Sequence, residues 1–462
     1  MRHSPRLRNS LPLLAFLLAG PFCAGAASRA AEPAVTLDTI ARDYVGLVLA
    51  IGEHDASYVD AYYGPDEWRT EVRAAKTDLK TIAERATAII AKLEALPADP
   101  AGSSTDPLIV LRRDYLLHQL RSAATRLEML RGTKLSFDEE SRRLYDAVAP
   151  AHGESYFEER LQRIDVELRK LETANAPNLP ADPRSLRDRL EALRARVTIP
   201  PAKVEAVFAH AIAECRTRTA ARIPLPAGEK FVVEQVTDKP WSAYNWYQGN
   251  LKSVIQVNVS LPIWIDRAVD LACHEGYPGH HVYNLLLEQK LVRERGWPEF
   301  QVYPLFSPQS LIAEGTANFG IAMAFPEDER LAFERDVLYP LAGLDPALAA
   351  PYARVSALVQ ELSYAGNEAA RNYLDGKIDA AGAAAWLERF GLYSPERAAQ
   401  RVRFIDAYRS YVINYNLGQD LVAGYVDRRS AGAAPGERAA KRWQVFSDLI
   451  SSPRLPSGLA AP

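Results

Sequence analysis

The sequence predicts a mainly α fold that carries one small antiparallel sheet. Three observations lead there. Apolar residues recur at helical spacing from Ala34 to about Ala220 and again from Ile263 to about Ser451. One stretch between them, Val254–Ser260, alternates at period two instead. The composition, 48% hydrophobic and 24% charged over 462 residues, is that of a globular chain and excludes a disordered, fibrous or disulfide-scaffold protein. A net charge of -3 from 55 basic and 58 acidic side chains gives no basic face, so nucleic acid is not an expected partner.

The chain opens on a targeting segment. Arg2, Arg6 and Arg8 precede the apolar run Leu11–Gly20, and Ala24-Gly25-Ala26 is a small-residue cleavage signal, so residues 1–26 read as a secretory signal peptide. The run is shorter than the roughly 20 apolar residues a membrane span needs, and no later segment supplies them. No stable membrane anchor is therefore expected. Cys23 follows Phe22 rather than a small residue, which argues against a lipid-modified cysteine. The mature chain is expected to start near Ala27 and to be secreted, into the periplasm where the cell has two membranes. Its two cysteines, Cys215 and Cys273, read as small buried side chains, with a single disulfide as the alternative.

Residues 27–222 form an N-terminal helical region. Leu37, Ile40, Tyr44, Leu47 and Ile51 share one helix face, as do Leu79, Ile82, Ala86, Ile89 and Leu93. Pro, Ser and Gly interrupt the pattern at Leu96–Pro107, and three prolines interrupt it at Ala176–Ser185. Arg184–Val197 is again amphipathic, and Pro200-Pro201 closes the region. The second region, 223–462, begins differently. Phe231-Val232-Val233 is a short β-like run, and in Val254–Ser260 the residues Ile255, Val257 and Val259 face one way and Gln256, Asn258 and Ser260 the other. That strand, just before the most unusual segment, is placed to bind an extended peptide by strand addition, although an ordinary sheet strand explains it equally well.

The unusual segment is Asp270-Leu271-Ala272-Cys273-His274-Glu275-Gly276-Tyr277-Pro278-Gly279-His280-His281. Three of the eight histidines fall within eight positions beside a carboxylate. Imidazoles with a neighbouring acid are the usual shell for zinc, the acid being free to act as general base. On an unbroken helix neither His280 nor His281 could share an ion with His274, because six residues lead to the opposite face and seven lie about 10 Å along the axis. Pro278 cannot continue the helix, and Gly279 can take a positive φ, so the chain is expected to break there and return a histidine to the metal. His280 is the first choice and His281 the alternative. Cys273 points about 100° away from His274 and is not expected to be a ligand. Downstream, Leu311–Phe325 is an apolar helical run with a single carboxylate, Glu314. It is either a third ligand or half of a buried salt bridge, since a lone charge there is costly.

His274-Glu275-Gly276-Tyr277-Pro278-Gly279-His280-His281 resembles the His-Glu-x-x-Pro-Gly-His signature of the bacterial domain of unknown function 885 family, and Glu314-Gly315-Thr316-Ala317 resembles its Glu-Gly-x-Ala motif. Ser363-Tyr364 is similar to a later Ser-Tyr pair, while the family's later histidine motif has no match. That family is similar to the gluzincin-type zinc metallopeptidases. The resemblance implies a mostly helical fold with a deep channel, zinc ligands His274, His280 and Glu314, and Glu275 as base. Tyr408, Tyr411 and Tyr415 fall on one helix face with Arg403 a turn earlier. Tyr411, Tyr415 or Arg403 would be placed to stabilise an oxyanion, core packing being the alternative for the tyrosines. Tyr244, Trp246 and Tyr247 are read as lining a channel entrance or as core.

The expectation is thus an exported zinc hydrolase in which a zinc-bound water, deprotonated by Glu275, cleaves a peptide substrate. A zinc amidase or esterase, and a non-catalytic exported binding protein with a vestigial metal site, are the alternatives.

Overall fold

The structure is a computed structural model and describes residues 35–97, 106–173, 183–239 and 241–461. The segment read as a signal peptide lies outside the described residues. Side-chain caps set the first helices. Thr36 and Thr39 form a reciprocal capping box at the start of α1 (Leu37–Gly52). Strand β1 (Val59–Tyr62) and α2 (Asp66–Ala75) follow, and Asp78 caps α3 (Leu79–Ala95) by accepting from the backbone of Lys80 and Thr81. Next come α4 (Pro107–Leu130), α5 (Phe137–Tyr145), α6 (Glu154–Thr173), α7 (Leu186–Arg196) and α8 (Val204–Ala220). The buried residues of α3 are Ile82, Ala86, Ile89 and Leu93, the apolar stripe read from the sequence.

Three strands then form one sheet: β2 (Lys230–Val236), β3 (Ala243–Gly249) and β4 (Lys252–Asn258), in the order β2-β4-β3. β3 and β4 pair antiparallel as expected, whereas β2 joins β4 in parallel. Ser253, Ile255 and Val257 of β4 are buried, in agreement with the alternation. Its central place is a correction, however. Both of its edges are already hydrogen-bonded, so β4 cannot receive a peptide by strand addition. The strand β3 was not legible, because it buries Asn245 and exposes Trp246, reversing the polarity a half-buried strand usually shows.

After the sheet come α9 (Asp266–Leu271), α10 (His280–Leu287), β5 (Val302–Pro304), α11 (Pro308–Ala324), α12 (Glu327–Phe333) and α13 (Tyr339–Ala342). The chain finishes with α14 (Ala349–Gln360), α15 (Ala365–Leu374), α16 (Ala380–Phe390), α17 (Pro395–Tyr408), α18 (Ile413–Ser430), α19 (Arg438–Ile450) and α20 (Pro456–Ala460). The protein is mainly α, as the periodicity predicts. β1 pairs antiparallel with β5, which ties residues near 60 to residues near 303.

The boundary expected at 222/223 does not divide the fold, for Thr36–Pro462 pack as one compact unit. Tyr115 of α4 donates to Gln309 Oε1 at 2.8 Å, Ser122 donates to the Phe306 carbonyl at 2.9 Å, and Arg112 meets the fully buried Glu299 at 2.5 Å. α11 is the centre of this packing, with only a few of its residues reaching the surface. It lies against α18 with Gly315 facing Gly418. A Cβ on Gly315 would come within 2.4 Å of the Gly418 carbonyl, so the helices touch backbone to backbone.

Candidate metal centre

After α9 the chain widens into one π-type turn over Ala272–Gly276, closed by the Tyr277 amide donating to the Ala272 carbonyl at 3.2 Å. Helical backbone stops at Tyr277, and α10 restarts at His280. The break is where Pro278-Gly279 predicts it, but the reason for the glycine differs. Gly279 has φ -75, not a positive value. Its role is space, since a Cβ there would stand 1.8 Å from the His274 carbonyl oxygen and 2.4 Å from that of Cys273.

The break turns His280 back onto His274. Their Nε2 atoms lie 3.1 Å apart, and Glu314 Oε2, from α11, lies 3.3 Å from His274 Nε2 and 3.6 Å from His280 Nε2. This triangle has the span expected of ligands each about 2 Å from one ion. A carboxylate oxygen of Glu275 also lies within 4.8 Å of the two imidazoles, so a His274, Glu275 and His280 group could hold a metal ion. The tautomer of His274 follows from its neighbour. Asn318 gives its amide N–H to the Tyr415 carbonyl at 2.9 Å, so its oxygen is what faces His274 Nδ1 at 2.9 Å. Nδ1 then carries the proton, and Nε2 presents a bare lone pair to the triangle.

Electrostatics agree with that reading. Glu314 Oε2 is buried and has no hydrogen-bond partner. Burial pushes the Glu314 carboxyl up, but the adjacent His280 and His274 imidazoles hold it well below the usual range. Burial pushes His280 down, yet Glu314 and then Glu275 raise it to about 9. Burial raises Glu275, against the opposing pull of His274 and His280. Asn245 of β3 fixes the turn by donating to the Glu275 carbonyl at 2.7 Å.

His281 is not at the centre. It is fully buried on the other side of α10, with Nε2 3.0 Å from Glu229 and Nδ1 2.9 Å from the Ser253 hydroxyl. Tyr411 donates to Glu314 Oε1 at 2.7 Å, and the Tyr415 ring centroid is 5.8 Å from that of Tyr411. These tyrosines do not share one helix with Tyr408. α17 ends at Tyr408, Arg409 adopts φ 52, and a short 3₁₀ turn precedes α18. Arg403 is a second correction: it is exposed on the outer face of α17, while its neighbours Val402 and Phe404 are buried. The nearby Arg401 instead lies over the Tyr415 ring at 5.8 Å.

Tyr244 bonds to Asp60, Tyr247 donates to the buried Glu288 at 2.5 Å, and Trp246 is half exposed, so the three do not line one entrance. An open pocket elsewhere is lined by Trp241, Trp264, Arg267, Leu271 and Arg397 among others, but by neither histidine. Tyr364 donates to Asp420 at 2.5 Å. Cys215 and Cys273 are free and buried. Asn318, Asn245 and Asp60 were missed from the sequence. Only Asn318 carried a signal, one turn after Glu314 on the same face.

No family model matches the chain, and no curated protein matches it. Among solved structures, a candidate lipoprotein from Colwellia psychrerythraea is similar at 12% identity and a TM-score of 0.47, over 80% of this chain and 69% of that one. A structure named CHT is similar at 12% identity and a TM-score of 0.40, over 90% of each chain. Among the described residues, no helix is long and apolar enough to cross a membrane.

Proposed function

We propose that the chain is an exported zinc metallopeptidase, with His274, His280 and Glu314 as ligands and Glu275 as general base. The observation that carries this reading is the triangle of Nε2, Nε2 and Oε2 in which Glu314 Oε2 is buried without a donor. Two nitrogens and one anionic oxygen at this spacing suit zinc, which would acidify a water and polarise a carbonyl.

The remaining work falls to this chain's own side chains. Asn318 and Tyr411 hold His274 and Glu314 in register. Glu275, made more basic by burial, accepts a proton from the attacking water and returns it to the leaving amine. The carbonyl carbon thereby exchanges its bond to nitrogen for one to oxygen, with no net proton retained. Export rests on Arg2, Arg6 and Arg8, the apolar run and the cleavage signal.

Elemental analysis of dialysed protein, followed by digestion of a peptide library, tests the reading. One zinc per chain and hydrolysis of peptide bonds are expected, and Glu275→Gln should lower turnover about 10²–10⁴-fold with metal content kept. Metal far below one equivalent, or full activity in Glu275→Gln, would overturn it.

A further inference from the structure

β1 belongs to the N-terminal part of the chain, packs beside β3 and β5, and carries a distortion near its start. Val59 pairs with Pro304 and Ala61 with Tyr303, so Asp60 is the extra residue of a β-bulge. A bulge re-aims one side chain, and such bulges gather beside functional sites. The Tyr244 hydroxyl donates to Asp60 Oδ1, while Oδ2 accepts no hydrogen bond among the described residues. None of the described lysines or arginines forms an ion pair with this carboxylate. Burial raises Asp60 to about 6 against the Tyr244 bond and the His280 charge, and Glu314 and Glu275 add to the rise. Burial and then the Asp60 charge also hold the hydroxyls of Tyr303 and Tyr408 above their ordinary value. An acid bonded to Tyr244 thus lies within the field of His280, Glu314 and Glu275, with Tyr303 and Tyr408 in its own field and no lysine or arginine among the described residues paired with it.

The geometry points to a subsite in which Asp60 and these tyrosines receive the free α-amino group of a peptide, making the enzyme an amino-terminal exopeptidase. An ammonium has three N–H donors for one free carboxylate oxygen and phenolic oxygens, and tyrosine faces attract cations. A carboxylate that is partly buried without a counter-charge favours a ligand that brings one. This inference rests on the peptidase reading for its reaction but not for its binding.

The test uses zinc-loaded full-length protein with one peptide series in two forms, free and acetylated at the amino terminus. Residues should be released from the amino end of the free series roughly 30-fold or more faster than from the acetylated one, the size expected when one partner of a close charge pair is removed. Asp60→Asn keeps an acceptor for Tyr244. It should raise KM for free peptides, shrink the preference for free over acetylated peptides and retain one zinc per chain. Equal cleavage of both series, or an unchanged preference in Asp60→Asn, overturns the subsite. Loss of metal in Asp60→Asn would make Asp60 a ligand and overturn it as well. If neither series is cleaved, the peptidase reading fails and binding decides. Calorimetry on zinc-loaded Glu275→Gln should then find the free peptide bound more tightly than the acetylated one, and equal binding refutes the amine subsite.

Discussion

Two consecutive histidines make two clusters of the same chemistry with opposite outcomes. His281 meets Glu229, whose carboxylate also accepts from Tyr277 at 2.6 Å and from Arg216 at 2.7 Å. His280 meets Glu314, whose Oε1 has the Tyr411 hydroxyl and whose Oε2 has no donor. Burial pushes Glu229 up, but bonds from His281, Tyr277 and Arg216 bring it down to about 2. In that pocket every lone pair is answered by a proton, so the cluster is complete as protein. In the other, lone pairs outnumber protons, and the deficit is what a cation fills. Burial alone does not distinguish a ligand from a core polar group. The donor count does.

The sharpest way to break the comparison is to disturb the chain reversal that separates the two histidines. Gly279→Ala places a methyl 1.8 Å from the His274 carbonyl, and backbone cannot yield as a side chain can. More than about 4 kcal/mol of destabilisation is expected, read as a fall in denaturation midpoint, together with loss of metal binding. Gly153→Ala, where a Cβ meets nothing within 4 Å, should stay within about 0.5 kcal/mol of the parent. A well-folded Gly279→Ala that still binds zinc would show that the close approach is not needed.

Ligand variants come next. His274→Ala and Glu314→Gln should each abolish stoichiometric zinc while leaving the fold soluble, whereas His281→Ala should keep the metal and lose stability. If His281→Ala lost the metal and His280→Ala kept it, the two clusters would have to exchange roles. Asn318→Ala should weaken zinc binding about 10–100-fold, since it frees the His274 tautomer.

A smaller effect is expected in the complete cluster. Glu229→Gln should cost about 2–3 kcal/mol at neutral pH through the weakened bonds to Tyr277, His281 and Arg216. Its pH dependence has a definite sign. The native carboxyl titrates at about 2 against an ordinary value of 4.5, so its stabilisation is complete above 4.5 and is lost as pH falls toward 2. The gap in unfolding free energy between parent and Glu229→Gln should therefore close across that window. A gap that stays constant from pH 6 to pH 2 would remove charge from the explanation.

The same contrast shows what was legible in the sequence. The stripe Ile82, Ala86, Ile89, Leu93 and the alternation Ile255, Val257 were readable because each buries one apolar face at a fixed period. His274, His280 and Glu314 were readable because a broken helix and a lone acid in an apolar run are both costly without a purpose. Other features depend on what packs from elsewhere. β3 hides its strand character behind a buried Asn245, Arg403 occupies the outer face of a helix whose spacing alone suited the site, and Asp60 is positioned through a strand pairing with residues about 240 positions away. No local pattern encodes such a pairing.

Tyr411 gives the finest test, because two roles for it predict different readouts. From the sequence it stood as a donor to a developing oxyanion, but its hydroxyl is already engaged with Glu314 Oε1 at 2.7 Å. Burial and then the Glu314 charge hold that hydroxyl protonated, so it remains a donor at any working pH. As the partner of Glu314 it orients the carboxylate so that Oε2 faces the two imidazoles. Tyr411→Phe should then weaken zinc affinity by roughly 10-fold, the lower end for loss of a group that orients a ligand, with turnover per bound zinc nearly unchanged. A direct oxyanion donor would do the reverse, lowering turnover about 10²-fold or more at full metal occupancy. Tyr415→Phe serves as the internal control, since that side chain adjoins Tyr411 through its ring and lacks the bond to Glu314. Measuring zinc affinity and metal-saturated turnover on both variants assigns the role, and an unchanged affinity in Tyr411→Phe would return the hydroxyl to the reaction itself.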